Sequence, residues 1–258
     1  MKTSKRNHWL YVNSVVLLLA LLLFSLVPLF NGIWQINQNT SSNSPNPDSE
    51  LLQSQASGYE MVLQREPDNQ TALEGLLDIK FKQGDLIGVI PALKRLAQIN
   101  PTYMTLLAQT QQQAGDLGGA STTYRNILDK EPGNINALKG LSDLLVLQGR
   151  SPEAIDLVQN TLKINNPNIN TTSVQLVLAE IYLQQKQKPQ ALKIYEQAIE
   201  ANTEDFRPIL AKALLLKSDG EKQKAKELLE KALNLAPEVY KSSIMDMVEN
   251  TSNAKLSQ

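Results

Sequence analysis

The chain contains no cysteine and a single histidine, His8, among its 258 residues. Without cysteine, neither a disulfide bond nor a thiolate metal site can form. The lone histidine has no second histidine or cysteine with which to build a zinc site. We therefore expect no metal site, although the missing cysteines do not identify the redox compartment.

The sequence also lacks the short motifs that accompany nucleotide binding or hydrolysis. No P-loop, G-x-S-x-G or G-x-G-x-x-G pattern occurs. Neighbouring carboxylates such as Glu204 and Asp205 fall at a predicted turn, where solvated charge is the ordinary interpretation. These observations predict a protein that is not an enzyme and that uses no cofactor.

An excess of charge of either sign is missing as well, because the formal net charge is −1 at pH 7. The charges are unevenly placed. Residues 1–31 carry Lys2, Lys5 and Arg6 and no acid, so the rest of the chain holds 22 basic and 26 acidic side chains. A mildly acidic domain without a basic stripe is a poor nucleic-acid binder, and we expect no nucleic-acid partner.

One long stretch without charge, residues 9–30, stands out against this background. As a helix it would rise about 33 Å, enough to cross a hydrocarbon core of roughly 30 Å. Trp9, Tyr11 and Trp34 lie near its two ends, as interfacial aromatic residues do. The alternative is a cleaved signal peptide, which has a shorter apolar region and small residues at a cleavage site. We predict a transmembrane anchor over residues 9–34.

The basic residues near this stretch predict its orientation. Three lie in the tail formed by residues 1–8, whereas none follows the stretch until Arg65. Cytoplasmic flanks are enriched in Lys and Arg, so we expect a cytoplasmic N-terminus with the rest of the protein on the periplasmic or lumenal side. Residues 35–49 are rich in Asn, Ser and Pro, and this composition predicts a flexible linker.

The remaining chain repeats one helical pattern, seen most clearly at residues 172–205. Leu178, Ala179 and Tyr182 share one face of a predicted helix, and Ala191, Tyr195 and Ala198 share one face of the next. The small residue near the start of the second helix recurs 31 to 37 residues apart, at Val89, Ala120, Ala154, Ala191 and Ala225. A glycine occupies the turn between the two helices at Gly84, Gly115, Gly149 and Gly220, and Lys186 replaces it in the fourth repeat. We expect a left-handed residue at this place.

These repeats resemble the tetratricopeptide repeat (TPR) over residues 52–237. The resemblance implies an all-α fold, with the N-terminal transmembrane helix followed by an α-solenoid of about five helix pairs and helical caps. The solenoid is assigned to residues 50–237, with a lone capping helix at residues 50–66 and units near residues 70–101, 101–132, 135–167, 172–205 and 206–237. A further capping helix is predicted at residues 238–249, followed by a frayed tail at residues 250–258.

In TPR domains the first helices of successive units line a groove that commonly binds peptides or partner helices. The resemblance places the following residues at such positions here: Glu74, Asp78, Phe81, Thr105, Gln109, Gln112, Lys139, Asp143, Leu176, Glu180, Leu183, Leu210, Leu214 and Lys217. Acids dominate the first part of this set and leucines the second. A matching ligand would be a basic amphipathic helix. Some TPR domains hold an acidic chaperone tail, but the acids at these positions would repel it.

The resemblance implies a membrane-anchored scaffold that binds another protein. Its layout is similar to that of bacterial inner-membrane and thylakoid TPR proteins that assist complex assembly. We expect a role in assembling or stabilising a membrane protein complex, with photosystem biogenesis in a thylakoid membrane as the narrower interpretation. Two alternatives remain: a self-associating structural protein, which would be a homo-oligomer, and a periplasmic TPR chaperone linked to the envelope or to secretion.

Overall fold

The computed structural model describes residues 47–253. The predicted tail at residues 1–8, the anchor at 9–34 and most of the linker at 35–49 lie outside the described residues, as does the end of the chain from residue 254. Within residues 47–253, none of the helices combines the length and the apolar character that a membrane crossing requires. This part of the chain contains twelve α-helices and no strand, which confirms the all-α prediction.

Contacts divide the described chain into two compact units. The N-terminal unit, residues 47–169, contains seven α-helices in which each helix packs on the next. They are α1 (Pro47–Arg65), α2 (Gln70–Lys82), α3 (Leu86–Ile99), α4 (Met104–Gln113), α5 (Leu117–Lys130), α6 (Ile135–Leu147) and α7 (Ser151–Leu162). A short 3-10 helix, Pro101–Tyr103, leads into α4.

The C-terminal unit, residues 170–253, contains five helices with the same sequential packing. They are α8 (Thr171–Gln184), α9 (Lys188–Ala201), α10 (Phe206–Ser218), α11 (Lys222–Leu235) and α12 (Glu238–Asn253). We call α2, α4, α6, α8 and α10 the first helices, and α3, α5, α7, α9 and α11 the second helices of their pairs.

The turn inside each helix pair has the conformation that the sequence predicts. The four turn glycines have φ between 71° and 86°, in the left-handed region. Lys186 at the same place in the fourth pair has φ 59°, and no other non-glycine residue of the described chain has a positive φ. The first helix therefore stops at a fixed residue in each pair, and the chain reverses within three residues.

Asparagine side chains start three of the first helices. Asn69 Oδ1 accepts a hydrogen bond from the N–H of Ala72 at 3.0 Å, and Asn134 Oδ1 caps α6 in the same way. Asn170 Oδ1 accepts from the N–H of Ser173 at 2.8 Å. Each bond satisfies an N–H group that the helix itself leaves unpaired. The many asparagines of the chain thus include residues that fix the ends of the helices.

The small residue that recurs in the second helices is buried in every pair, as predicted, and lies among leucines, other aliphatic residues and tyrosines. Ala179, Ala191 and Tyr195 are buried together in one cluster. Tyrosine rings of α1 and of second helices also pack against small residues of the following first helix, as the Tyr124 ring does on Gly140. The same contact joins Tyr59 to Gly75, and Tyr195 clusters with Ala211. The partner follows sixteen residues after the tyrosine in every case, which shows that one packing register recurs.

Pro91 lies inside α3, which begins at Leu86, where the Asp85 carboxylate accepts a hydrogen bond from the N–H of Gly88. Two other helix limits differ from expectation. The helix α1 begins at Pro47, inside the predicted linker, because proline suits the first turn of a helix. The last helix continues past residue 249 to Asn253, and the buried Thr251 hydroxyl donates a hydrogen bond to the carbonyl of Met247.

Candidate protein-binding surface

All of the predicted groove residues lie on first helices, and we consider the two units separately. The N-terminal face comprises Glu74, Asp78 and Phe81 on α2, Thr105, Gln109 and Gln112 on α4, and Lys139 and Asp143 on α6. The C-terminal face comprises Leu176, Glu180 and Leu183 on α8, and Leu210, Leu214 and Lys217 on α10.

Glu74 is held in a defined orientation on the N-terminal face. Its Oε1 accepts hydrogen bonds from Gln70 Nε2 and from the Tyr103 hydroxyl, both at 2.7 Å. These two bonds, that from Gln70 first, hold the pKa of the Glu74 carboxyl below its usual value. No lysine or arginine of residues 47–253 forms an ion pair with Glu74, so its negative charge is hydrogen-bonded but not neutralised.

The other two acids of the N-terminal face have cationic neighbours. Asp78 is exposed and forms an ion pair of 2.6 Å with Lys82, one helical turn further on. Asp143 Oδ2 lies 3.3 Å from Lys139 Nζ, and this pair is more buried, with side chains that are 32% exposed for Asp143 and 19% exposed for Lys139. Because these pairs remain in contact with solvent, each contributes little to stability. They still leave the N-terminal face with more negative than positive side chains.

A tyrosine hydroxyl joins a second helix to a first helix of this face. Tyr124 on α5 is almost fully buried, and its hydroxyl donates a hydrogen bond of 3.0 Å to Gln112 Oε1 on α4. Burial, and to a smaller extent the charge of Asp143 on α6, raise the pKa of Tyr124 to about 12. The hydroxyl is therefore neutral at physiological pH and acts as a fixed donor beside the acids.

The remaining side chains of the N-terminal face are half-buried and carry no charge. Thr105 and Gln109 carry hydrogen-bonding groups without charge. Phe81 packs against the apolar cluster of Val89, Leu93 and Leu107. The face thus combines carboxylates, amides and one partly buried ring, a set suited to a polar or basic polypeptide segment.

The C-terminal face differs from the expected apolar surface, because its leucines are core residues. Leu210 is fully buried and Leu214 is 4% exposed, in one cluster with Ile244 of α12. Leu176 is buried against Ala211 and neighbouring residues of α10. Residues of the next two helices share these clusters, α9 and α10 for Leu176, and α11 and α12 for Leu210 and Leu214. The three leucines therefore expose little surface to a ligand.

The other residues of the C-terminal face also interact with neighbouring residues of the unit. Leu183 lies partly buried against the cluster around Ala191. Burial, with a smaller contribution from the charge of Glu180, raises the pKa of Tyr195. Lys217 Nζ donates a hydrogen bond of 3.4 Å to the carbonyl of Met247 on α12, and burial lowers the pKa of this lysine.

Sequence reasoning missed two contributors to the N-terminal face. Tyr103 lies in the 3-10 helix, outside the repeat register, so no periodic signal pointed to it. Tyr124 was not among the predicted groove residues, yet its hydroxyl donates a hydrogen bond to Gln112. A metal does not enter this description, since residues 47–253 hold no group of three or more His, Cys, Asp or Glu side chains placed to bind one.

Comparison with known proteins agrees with this architecture. A family model described as tetratricopeptide repeat matches residues 71–238. Over 132 residues the chain is 30% identical to cellulose synthase operon protein C of Pseudomonas fluorescens, which covers 46% of this chain and 10% of that protein. Over 81 residues it is 31% identical to the uncharacterized protein y4yS of Sinorhizobium fredii, covering 31% of this chain and 43% of that protein. The chain therefore spans less than half the length of either curated relative.

Among solved structures, the chain is similar to yeast Tom70. The TM-score is 0.52 with 11% sequence identity, over 84% of this chain and 45% of that chain. At this identity the likeness concerns the fold alone.

Proposed function

The chain belongs to the tetratricopeptide repeat family, and from this premise we propose that it is a non-enzymatic scaffold whose N-terminal face binds a basic segment of another protein. The family supplies the general role, because TPR proteins bind protein partners. The chemistry of this chain supplies the kind of partner. The proposal assigns no ligand contact to Leu176, Leu210 and Leu214 of the C-terminal face, since these side chains are buried.

The observation that supports a basic ligand most directly is Glu74. Its carboxylate is fixed by Gln70 and Tyr103 and has no cationic neighbour among the described residues. A lysine or arginine from a ligand would supply the missing charge without requiring the glutamate to reorient. Asp78, one turn further along α2, would add a smaller long-range attraction for the same ligand, because Lys82 offsets part of its charge.

The proposal is tested by capturing the partner and then changing the charge of the face. A photoreactive residue at Gln109 would crosslink a bound partner in native membranes, where mass spectrometry identifies it. The parent protein is then compared with the double variant Glu74→Lys, Asp78→Lys. We expect association to slow by about tenfold or more and its salt dependence to flatten, because steering acts on the association rate.

A charge-matched control separates this effect from a general change in net charge. Asp129→Lys with Asp156→Lys introduces the same charges on exposed sites of the second helices α5 and α7. Binding by this control should remain close to that of the parent protein. If both double variants bind the captured partner equally well, the N-terminal face is not the binding surface.

We further propose, from the sequence, that residues 9–34 anchor the scaffold in a membrane, where it helps to assemble or stabilise a protein complex. The support is the uncharged run at residues 9–30 and the basic residues before it. Photosystem biogenesis in a thylakoid membrane is the narrower form of this proposal. It rests only on a composition that is rich in Asn, Gln and Leu and free of cysteine. A reporter that is active only outside the cytoplasm should work when fused after Gln258. Activity of a cytoplasm-only reporter at that place would reverse the orientation.

A further inference from the structure

The helix α1 has the packing of a second helix whose first helix is missing. Its Tyr59 ring lies against Gly75, just as the Tyr124 ring of α5 lies against Gly140. With Tyr59 and Tyr124 in register, Gln55, Gly58 and Val62 of α1 take the places of three α5 residues. These are Ala120, Thr123 and Ile127.

Those places are covered in α5 but not in α1. Ala120, Thr123 and Ile127 are all buried, and Thr123 donates a hydrogen bond to Gln111 of the covering helix α4. In α1, Val62 is 40% exposed and Gln55 is exposed. Apart from the nearby backbone of α1 itself, no atom lies within 4 Å of the place where a Cβ at Gly58 would be. Leu51, one turn before, is 58% exposed. We call Leu51, Gln55, Gly58 and Val62 the uncovered face.

The chain immediately before α1 does not have the composition to cover this face. By the spacing of the other pairs, the missing first helix would come from residues 35–46. That stretch, QINQNTSSNSPN, contains one apolar residue, Ile36, and so lacks the apolar stripe of a packing helix. The opposite end of the chain is no better matched, because Ser242, Ser243 and Asp246 accompany Val239 on the exposed side of α12.

The uncovered face is complementary to itself when two copies of α1 run antiparallel. We propose that α1 docks on α1 of a second copy of this chain, in the antiparallel sense in which α4 covers α5. A two-fold arrangement that places Leu51 opposite Val62 of the other copy also places Gln55 opposite Gly58. The longer side chain then meets the residue without a Cβ, so the two helices can approach closely.

The charges at the ends of α1 fit the same arrangement. Glu50 flanks the uncovered face beside Leu51, and Arg65 lies one turn beyond Val62 at the other end, both exposed. Neither has an ion pair among the described residues. Antiparallel docking brings Glu50 of each copy towards Arg65 of the other, giving two such pairs by symmetry. A contact between two helices is smaller than the roughly 800 Å² per partner of a stable complex, so the dimer depends on concentration.

The natural absence of cysteine makes the arrangement directly testable by crosslinking. Full-length copies carrying Leu51→Cys and copies carrying Val62→Cys, with different tags, are mixed in mild detergent and oxidised with copper phenanthroline. The proposal predicts a disulfide-linked heterodimer in several-fold greater yield than from Leu51→Cys copies alone, whose thiols would lie at opposite ends of the contact. The matched control pairs Gln53→Cys with Gln64→Cys. These residues have the same spacing on the far side of α1 and should give little product.

Dilution experiments supply the second measurement. In analytical ultracentrifugation, Val62→Asp should raise the dissociation constant of the dimer at least tenfold, whereas Gln64→Asp should leave it unchanged. Because both sites are exposed, circular dichroism should show unchanged helix content for both variants. Preferential self-crosslinking of Leu51→Cys would overturn the antiparallel arrangement. A mass of one chain at every concentration, or crosslinking from native membranes only to a different protein, would overturn the second copy as the occupant.

Discussion

Replacing Gly140 by alanine tests the recurring contact between a tyrosine ring and a small residue. A Cβ at this position would lie 2.3 Å from Tyr124 Cζ and 2.6 Å from the Tyr124 hydroxyl oxygen. The ring is 1% exposed and its hydroxyl is bonded to Gln112, so it has no free space into which to move. Overpacking of this kind costs about 1–3 kcal/mol. The change from glycine to alanine inside a helix offsets about 1 kcal/mol of that.

Gly58→Ala is the matched control when both variants are compared at a concentration low enough to keep the protein monomeric, because Gly58 also lies inside a helix of the N-terminal unit but its added Cβ would have no packing neighbour within 4 Å. We expect this control to be stabilised by about 0.5–1 kcal/mol. Gly140→Ala should therefore be less stable than Gly58→Ala by about 1–3 kcal/mol. Thermal unfolding followed by circular dichroism resolves this, since 1 kcal/mol shifts the Tm of a domain this size by about 2–4 °C. Equal increases in Tm for both variants would refute the close contact.

The other predictions concern the C-terminal core and Glu74. Ala191→Trp should destabilise the protein by about 1–3 kcal/mol or more, because Ala191 is fully buried beside Ala179; an unchanged Tm would show that this packing register is wrong. Leu214→Ala should cost about 2–5 kcal/mol, and a negligible loss would return this leucine to the surface. The pKa of Glu74, measured by NMR titration, should lie below 4.5 and rise in Tyr103→Phe, and no change would contradict the hydrogen bond. Since the folded pKa is the lower one, these bonds stabilise the fold above pH about 4.5, and this contribution disappears as the pH falls through the folded pKa.

The local structure was the part most open to prediction. The turn glycines and Lys186 have left-handed backbone conformations, as expected. This was predictable because the end of a helix is determined by a few neighbouring residues. The burial of Ala191 and Tyr195 followed from helical spacing alone. Both signals are local, and each is repeated along the chain, so an error in one copy is corrected by the others.

The candidate surface was less open to prediction, since exposure depends on which helix lies beside a residue. Glu74 was expected on a first helix, but of the two partners that fix it, Gln70 lies in the same helix and Tyr103 lies in the 3-10 helix before α4. Leu210 and Leu214 occupy the expected helix and the expected register, yet they are buried in a cluster with residues of α11 and α12. The repeat pattern reports the face of a helix and carries no information about a neighbour outside the pattern.

The sequence by itself determined the helical class, the pairing of helices and the small-to-large packing inside each pair, because these follow from apolar spacing and turn residues within about forty positions. Only the tertiary structure decided which first-helix residues remain accessible. Glu74 stays at the surface as a fixed carboxylate, while Leu176 and Leu210 become core. The physical reason is that burial is a property of two surfaces in contact, and the second surface belongs to a helix distant in the sequence.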